Sequence, residues 1–253
     1  MDALNPNWDR PHFSPGGGNP FLFYVAFGSI DTGAEMSLTK YRSAGIPEGI
    51  ELMRYSRASN SDFIQMFLDG YVWNEFKTRK PDLAAIVEAQ PECIVLSGTV
   101  SDPPMLNYLR DSIGLLTFFL DNGGKAIYDP QKLEWYSSQS WREKVFGPTG
   151  PAPRQHVVIL LSEEDDGETF WIHTRGMRKF GRPDISVRHV QRTMQPAVID
   201  LCNRLIEFQA LGAVIAEGQQ IRMASLPSGG VAHHGGDLDD PDFNNFHIEI
   251  CWP

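Results

Sequence analysis

Residues 147–153, with the sequence GPTGPAP, constrain the fold more than any other stretch of the chain. Proline removes a backbone donor and fixes φ, so a helix cannot cross this segment and a sheet can only pass beside it. The chain has 253 residues, of which 42% are hydrophobic, and this is enough apolar material for a substantial core. We therefore predict a single domain over residues 20–253, with an internal junction at 147–153.

Residues 1–19 are rich in proline, asparagine and glycine, and include Gly16-Gly17-Gly18. Such a composition buries too little apolar surface to offset the entropy of ordering. We expect a flexible N-terminal tail.

Hydrophobic periodicity predicts strands and helices in mixed order. The clearest unit is a strand, a helix and a second strand over residues 93–128, and residues 28–60 are expected to be rich in loops. After the junction, residues 155–162 and 168–174 predict a hairpin, followed by a strand near 184–190, a helix from about 193 to 212 and late strands at 221–224 and 246–251. This pattern predicts an α+β fold with a mixed or antiparallel sheet flanked by helices.

The charge balance limits the classes of partner. The chain has 32 acidic and 22 basic residues, a net charge of −10, which argues against general binding to nucleic acids or anionic membranes. No apolar run approaches the ~20 residues that span a bilayer. The three cysteines are far apart and no signal peptide is visible, so we expect a cytoplasmic protein.

The common catalytic motifs of NTPases, dinucleotide-binding enzymes, zinc proteases and α/β-hydrolases do not occur in the sequence. Their absence favours a role without catalysis and without a cofactor. It leaves room for an enzyme with an unusual site.

Six of the 22 basic residues fall within the 18 positions from Arg175 to Arg192. The guanidinium groups of Arg175, Arg178 and Arg182 form a candidate site for an anion or a partner, because arginine binds carboxylates and phosphates bidentately. The preceding acidic turn offers a simpler explanation, since its carboxylates could neutralise the arginines in an ordinary charged surface. These acidic residues, which are also candidate partner contacts, are Glu163, Glu164, Asp165 and Asp166.

A segment rich in histidine and aspartate precedes the C-terminus. Its residues could ligate a divalent metal, although the spacing fits neither an EF-hand nor a helical histidine pair. The candidate ligands are His233, His234, Asp237, His247 and Glu249. A solvated acidic loop that leads into the last strand explains the segment equally well.

Three features occur together in this sequence. They are the predicted strand–helix–strand unit at residues 93–128, the stretch Tyr128-Asp129-Pro130 that leads to Trp135 and Trp141, and the segment TRGMRKFGRPD at 174–184. They resemble uncharacterised bacterial α+β domains that carry the segment T-R-G-[LM]-x-x-F-G-x-P-[DE]. The resemblance covers residues 90–210, about half of the chain. It supplies no catalytic residue, and some similar small acidic proteins serve as immunity proteins or bind partners in bacterial toxin systems.

Together these observations predict a non-enzymatic, immunity-type protein-binding module. Its acidic residues at 163–166 and 237–242 would bind a partner with a basic surface, such as a toxin or nuclease domain. The alternatives are a metal-dependent hydrolase that uses the C-terminal histidines and acids, and an anion-binding sensor built around Arg175 to Arg182.

Overall fold

A computed structural model describes residues 5–165 and 167–252, and it divides the chain into two units. Unit 1 comprises the described residues up to Trp8, together with Leu22–Val100 and Met105–Pro151. Unit 2 comprises Asp9–Phe21, Ser101–Pro104 and the described residues from Ala152 onward. One boundary, between Pro151 and Ala152, lies inside the 147–153 junction.

Unit 1 is built on a five-stranded sheet. Its strands are β1 (Phe21–Gly28), β2 (Ile50–Ser56), β3 (Glu92–Thr99), β4 (Gly124–Asp129) and β5 (Glu134–Ser137). Its helices are α1 (Leu38–Tyr41), α2 (Arg57–Gln65), α3 (Gly70–Arg79), α4 (Pro81–Glu88), α5 (Asn107–Asp121) and α6 (Ser138–Trp141), with a 3₁₀ turn at Met66–Leu68 and a π turn at Arg142–Phe146. The strand order is β2-β3-β1-β4-β5, and the pairs β2–β3, β1–β4 and β4–β5 are antiparallel.

Alternation along the buried strand β1 sends apolar side chains to both faces of this sheet. Val25 and Phe27 join an aromatic core that α3 and α4 complete with Trp73, Phe76 and other side chains. On the opposite face, the Tyr24 ring meets Trp141 edge-on at 5.9 Å, and the Trp141 indole donates to Thr117 Oγ1 of α5. Helices therefore cover the unit 1 sheet on both faces.

Unit 2 contains a six-stranded sheet and one long helix. Its strands are β6 (Val158–Glu163), β7 (Thr169–Arg175), β8 (Asp184–Gln191), β9 (Gln220–Ile221), β10 (Gly230–Gly235) and β11 (His247–Cys251), and its helix is α7 (Gln195–Ala210). Short 3₁₀ turns lie at Pro153–Gln155, Met177–Phe180 and Arg192–Met194. The order is β6-β7-β8-β11-β10-β9, in which β8 and β11 run parallel and the other neighbours run antiparallel.

The two faces of the unit 2 sheet differ in chemistry. Helix α7 buries Val198, Leu201 and Leu205 and packs on β7 and β8, which bring Ile172 and Val187 into register on one face. Register also places a polar row across the other face, from β6 through β7, β8 and β11 to β10. This row consists of Leu160, His173, Ser186, Glu249 and His233.

The α+β prediction is confirmed, with one antiparallel and one mixed sheet flanked by helices. Three strands, β2, β5 and β10, were not predicted from the sequence. Strand β2 lies within residues 28–60, which were expected to be rich in loops, and β10 lies in the His/Gly stretch that suggested a loop. No helix in the described part of the chain is long and apolar enough to cross a membrane.

The N-terminal segment differs from the expected flexible tail. Residues 1–4 lie outside the described residues, but Trp8 is only 5% exposed and Arg10 only 3% exposed. The His12 amide donates to the Leu211 carbonyl at 2.9 Å, and Gly17 lies so close to a guanidinium that a Cβ there would overlap it. Composition suggested disorder because it is averaged over 19 positions. Trp8 and Arg10, the two buried side chains that anchor the segment, contribute little to such an average.

Candidate functional site

The basic segment forms a tight connection between β7 and β8. Gly176 (φ +119°) and Gly181 (φ +62°) flank the 3₁₀ turn Met177–Phe180 in left-handed conformations. A Cβ on Gly181 would lie 2.0 Å from the Gly18 carbonyl oxygen, so only glycine fits there. This turn fixes the starting points of the three arginine side chains proposed from the sequence.

Arg182 is buried and fully engaged within unit 2. Its Nη1 lies 3.0 Å from Asp102 Oδ2, its Nε donates to the Ala213 carbonyl at 3.0 Å and its Nη2 donates to the Gly212 carbonyl at 2.9 Å. Arg10 binds the other oxygen of the same carboxylate, with Nη1 2.5 Å from Asp102 Oδ1. One carboxylate thus bridges two buried guanidinium groups, and this arrangement favours a structural role for Arg182 over an exposed anion site.

Arg175 and Arg178 both reach the acidic loop, which we define as residues 236–246 between β10 and β11. Arg175 Nη1 donates to the Asp242 carbonyl at 2.8 Å, and Arg178 Nη1 donates to the Asn244 carbonyl at 2.9 Å. The Arg178 guanidinium also lies over the Phe21 ring, 4.4 Å from its centroid. These contacts tether the acidic loop to the basic segment.

A third tether comes from inside the loop. The side-chain amide of Asn245 donates to the Arg182 carbonyl and to Asp184 Oδ2, both at 2.9 Å. Asp184 Oδ1 accepts from Thr174 Oγ1 at 2.8 Å and from the Met177 amide at 3.2 Å. Burial raises the pKa of Asp184 to about 6, although these hydrogen bonds favour the charged form.

Carboxylates within the acidic loop also fold it locally. Asp240 Oδ1 accepts from the Asp242 amide, and Asp237 Oδ1 accepts from the Asp239 amide, each at 2.9 Å, in the manner of Asx turns. Two apolar side chains nevertheless point to solvent, since Leu238 is 46% exposed and Phe246 is 51% exposed. The loop therefore presents carboxylates and apolar groups together on a fixed backbone.

Aromatic rings connect the loop to the polar face of the sheet. Phe243 is buried, stacks on His247 at 4.4 Å and meets His173 edge-on at 5.4 Å. His173 in turn stacks on Trp171 at 3.8 Å, and the Trp171 indole donates to Ser186 Oγ at 2.9 Å. Burial lowers the pKa of His173 to about 4, with further lowering by Arg175, Arg188 and His247, so this imidazole is neutral at pH 7.

The proposed metal ligands are dispersed over several local contacts. His233 Nδ1 lies 2.9 Å from Glu217 Oε1, and His234 Nε2 lies 2.9 Å from the Ile215 carbonyl. His247 Nδ1 is 3.8 Å from Asp240 Oδ2. In residues 5–165 and 167–252, no group of three or more histidine, cysteine or acidic side chains is arranged to hold a metal ion.

The two acidic residues of this set, Asp237 and Glu249, are also placed apart. Asp237 lies in the Asx turn of the acidic loop, and Glu249 Oε2 is 3.5 Å from Ser186 Oγ on the sheet. His233 and Glu249 are cross-strand partners on β10 and β11. His233, His247 and Glu249 lie on the same sheet face as His173, whereas His234 lies on the opposite face of β10 and Asp237 lies in the loop.

The acidic turn at 163–167 is a separate feature at the opposite end of the β6–β7 hairpin from Arg175. Glu164 Oε2 accepts from Thr169 Oγ1 at 2.9 Å and from the His189 amide at 2.8 Å, so this carboxylate closes the turn. Glu163 and Asp165 are exposed, and Asp166 lies outside the described residues.

Several residues that build this region were missed in the sequence. Asp102 precedes Pro103-Pro104 and lies before α5, which begins at Asn107, and its carboxylate binds Arg10 and Arg182. Asn245 carried no signal beyond an Asn-Asn pair. The alternation of Trp171 and His173 along β7 was the available signal for the polar face.

Comparisons with known proteins found no matching protein-family model, no matching curated protein and no matching solved structure.

Proposed function

We propose that this protein is a non-enzymatic binding module that captures a basic protein partner through the acidic loop. The observation that carries the proposal is the joint presence of four aspartates and two outward apolar side chains on a loop whose backbone is tethered by Arg175, Arg178 and Asn245. An immunity-type role in a bacterial cytoplasm, against a toxin or nuclease domain, is the specific form of this proposal.

Preorganisation supports this function on energetic grounds. A loop that is already held in one conformation loses less entropy on binding than a floppy loop does, and each ordered side chain otherwise costs about 0.5–1.5 kcal/mol. Arg175 and Arg178 donate to backbone carbonyls of the loop. They therefore leave the carboxylates of Asp237, Asp239 and Asp242 available to a partner.

Charge and apolar area have different roles in such an interface. The net charge of −10 attracts a basic protein from a distance and raises the association rate. Leu238 and Phe246 supply the apolar contact that slows dissociation, since desolvated anchors dominate binding energy. The exposed carboxylates of Glu163 and Asp165 serve the long-range attraction.

The test is a quantitative pull-down from a bacterial lysate, with the full chain as bait, followed by reconstitution with the captured protein. The triple variant Asp237→Asn, Asp239→Asn, Asp242→Asn removes three charges from the loop. The matched control, Glu48→Gln, Glu51→Gln, Asp62→Asn, removes three exposed charges from unit 1. We expect a basic protein that binds wild type and control but not the loop variant.

Stopped-flow association of the purified pair completes the test. Rising ionic strength should slow association steeply, because salt screens exposed charges. Equal binding by the loop variant and the control would contradict the proposal, and so would an association rate that ignores salt.

A further inference from the structure

Over residues 5–165 and 167–252 the two sheets have four edge strands, and three of these are poor templates for pairing with another chain. Strand β9 has two residues and β5 has four. Strand β2 has seven residues but carries Glu51 and Arg54. Short strands and charged side chains are the usual protection of sheet edges against association.

Strand β6 is the fourth edge and carries no such protection over most of its length. Its sequence is VILLSE, without lysine, arginine or proline, and its six residues pair with β7 in one uninterrupted register. Outside β7, no described residue makes a backbone hydrogen bond to residues 158–163. Val158, Ile159 and Leu160 are half-buried, and Leu161 is 45% exposed.

Apolar side chains stand on both faces of this edge. Leu160 is in register with His173 on the polar face, and Leu161 is in register with Ile172 on the α7 face. A strand added beyond β6 would therefore cover apolar surface on both sides while it satisfied the outward backbone groups.

We infer that the occupant of this edge is a second copy of the chain, paired antiparallel along β6. Antiparallel pairing of identical strands is self-complementary and closes as a two-fold dimer. It places the acidic end of one strand, Glu163 and Asp165, near Arg154 of the other copy. Arg154 pairs with Glu207 of its own chain at 2.8 Å, and its side chain is 50% exposed and so still open to a further carboxylate. Parallel pairing would bring the two acidic ends together.

Centred on Leu161, this pairing would join residues 159–163 of the two copies over about 17 Å, five residues at about 3.4 Å each. This interface uses neither Leu238 nor Phe246, so it is independent of the partner-binding surface proposed above. Its success or failure in an experiment therefore leaves that proposal untouched.

Sedimentation velocity of the full chain over a wide concentration range tests the inference. We expect a reversible monomer–dimer equilibrium. Leu161→Lys should weaken the dimer about tenfold or more, because it brings two like charges close together across the two-fold axis. Ile86→Lys is the matched control, since Ile86 on α4 and Leu161 are each 45% exposed, and it should leave the equilibrium unchanged.

Two further measurements keep the inference falsifiable if Leu161→Lys unfolds. Ser162→Lys changes a side chain that is already exposed and should also weaken the dimer, and so should the charge reversal Arg154→Glu. Hydrogen exchange should show protection of the β6 amides that rises with protein concentration. A chain that stays monomeric at every concentration overturns the inference, as does a dimer that both lysine variants of β6 leave intact.

Discussion

The two sheets of this protein are stabilised in different ways. In unit 1, helices cover both faces and the core is aromatic, with Trp135 stacked on Tyr128 at 4.2 Å and on Phe76 at 5.0 Å. In unit 2, α7 covers one face, while the other carries Trp171, His173 and the side chains that meet the acidic loop. The difference teaches that unit 1 gains its stability from apolar burial, whereas unit 2 devotes one sheet face and several arginines to positioning a surface.

The largest expected effect lies in the unit 1 core. Trp135→Ala should lower the free energy of unfolding by about 3–5 kcal/mol, because a fully packed indole leaves a cavity that its neighbours cannot fill. Trp171→Ala in unit 2 should lower the free energy of unfolding by less, since the Trp171 side chain is partly exposed. Urea denaturation measures both. Equal losses in the two variants would remove the contrast between the sheets.

The second effect concerns the buried arginines of unit 2. Arg182→Met should destabilise the protein by about 3 kcal/mol, because Asp102 and the carbonyls of Gly212 and Ala213 lose a charged donor. The control is Arg204→Met, whose side chain is 67% exposed and pairs with Asp200 on the same helix. Arg204→Met should change the free energy of unfolding by no more than about 0.5 kcal/mol. Thermal and urea unfolding of the two variants measure both changes in stability.

The third effect is a pair of opposed pH dependences in unit 2. Burial raises the pKa of Asp184 from 3.8 to about 6, so the folded state binds the extra proton and stability is lost as pH rises through this window. Burial lowers the pKa of His173 from 6.5 to about 4, so the unfolded state binds the extra proton and stability is lost as pH falls through that window. The two slopes oppose each other in the wild-type protein.

Each variant should therefore reveal the slope of the other group. Between pH 4 and 6, Asp184→Asn should become more stable as pH rises, whereas His173→Gln should become less stable, with a slope of at most about 1.4 kcal/mol per pH unit for one proton. Urea titrations at several pH values measure these slopes. Two variants with parallel profiles would show that these two groups do not set the pH response.

Sequence patterns predicted the elements with strong periodicity, and they failed where tertiary contacts decide. The helix α7 and the strands of the β6–β7 hairpin follow from apolar spacing and an Asp-Gly turn. Strand β10 has the sequence GVAHHG, whose hydrophobic alternation is weak. It forms a strand because β11 pairs with it in register. Tertiary pairing of this kind has no local signal.

The site shows the same division. The sequence identified the basic segment and the acidic segment but not that one tethers the other, because residues 66 or 67 positions apart meet only in the folded chain. The Asp102 carboxylate binds Arg10 and Arg182, which lie 92 and 80 positions away, so no local pattern predicts these ion pairs.

The most direct measurement is hydrogen exchange of the acidic loop in the wild-type protein and in Arg175→Met. The tethers should hold the Asp239, Asp242 and Asn244 amides in their turns, and loss of one charge-assisted hydrogen bond should speed their exchange about tenfold. Arg188→Met, a change on the same sheet face that removes a stack on Trp171, should leave loop exchange unchanged. Loop amides that exchange at unstructured rates in the wild type, or that ignore Arg175→Met, would contradict a preorganised acidic loop.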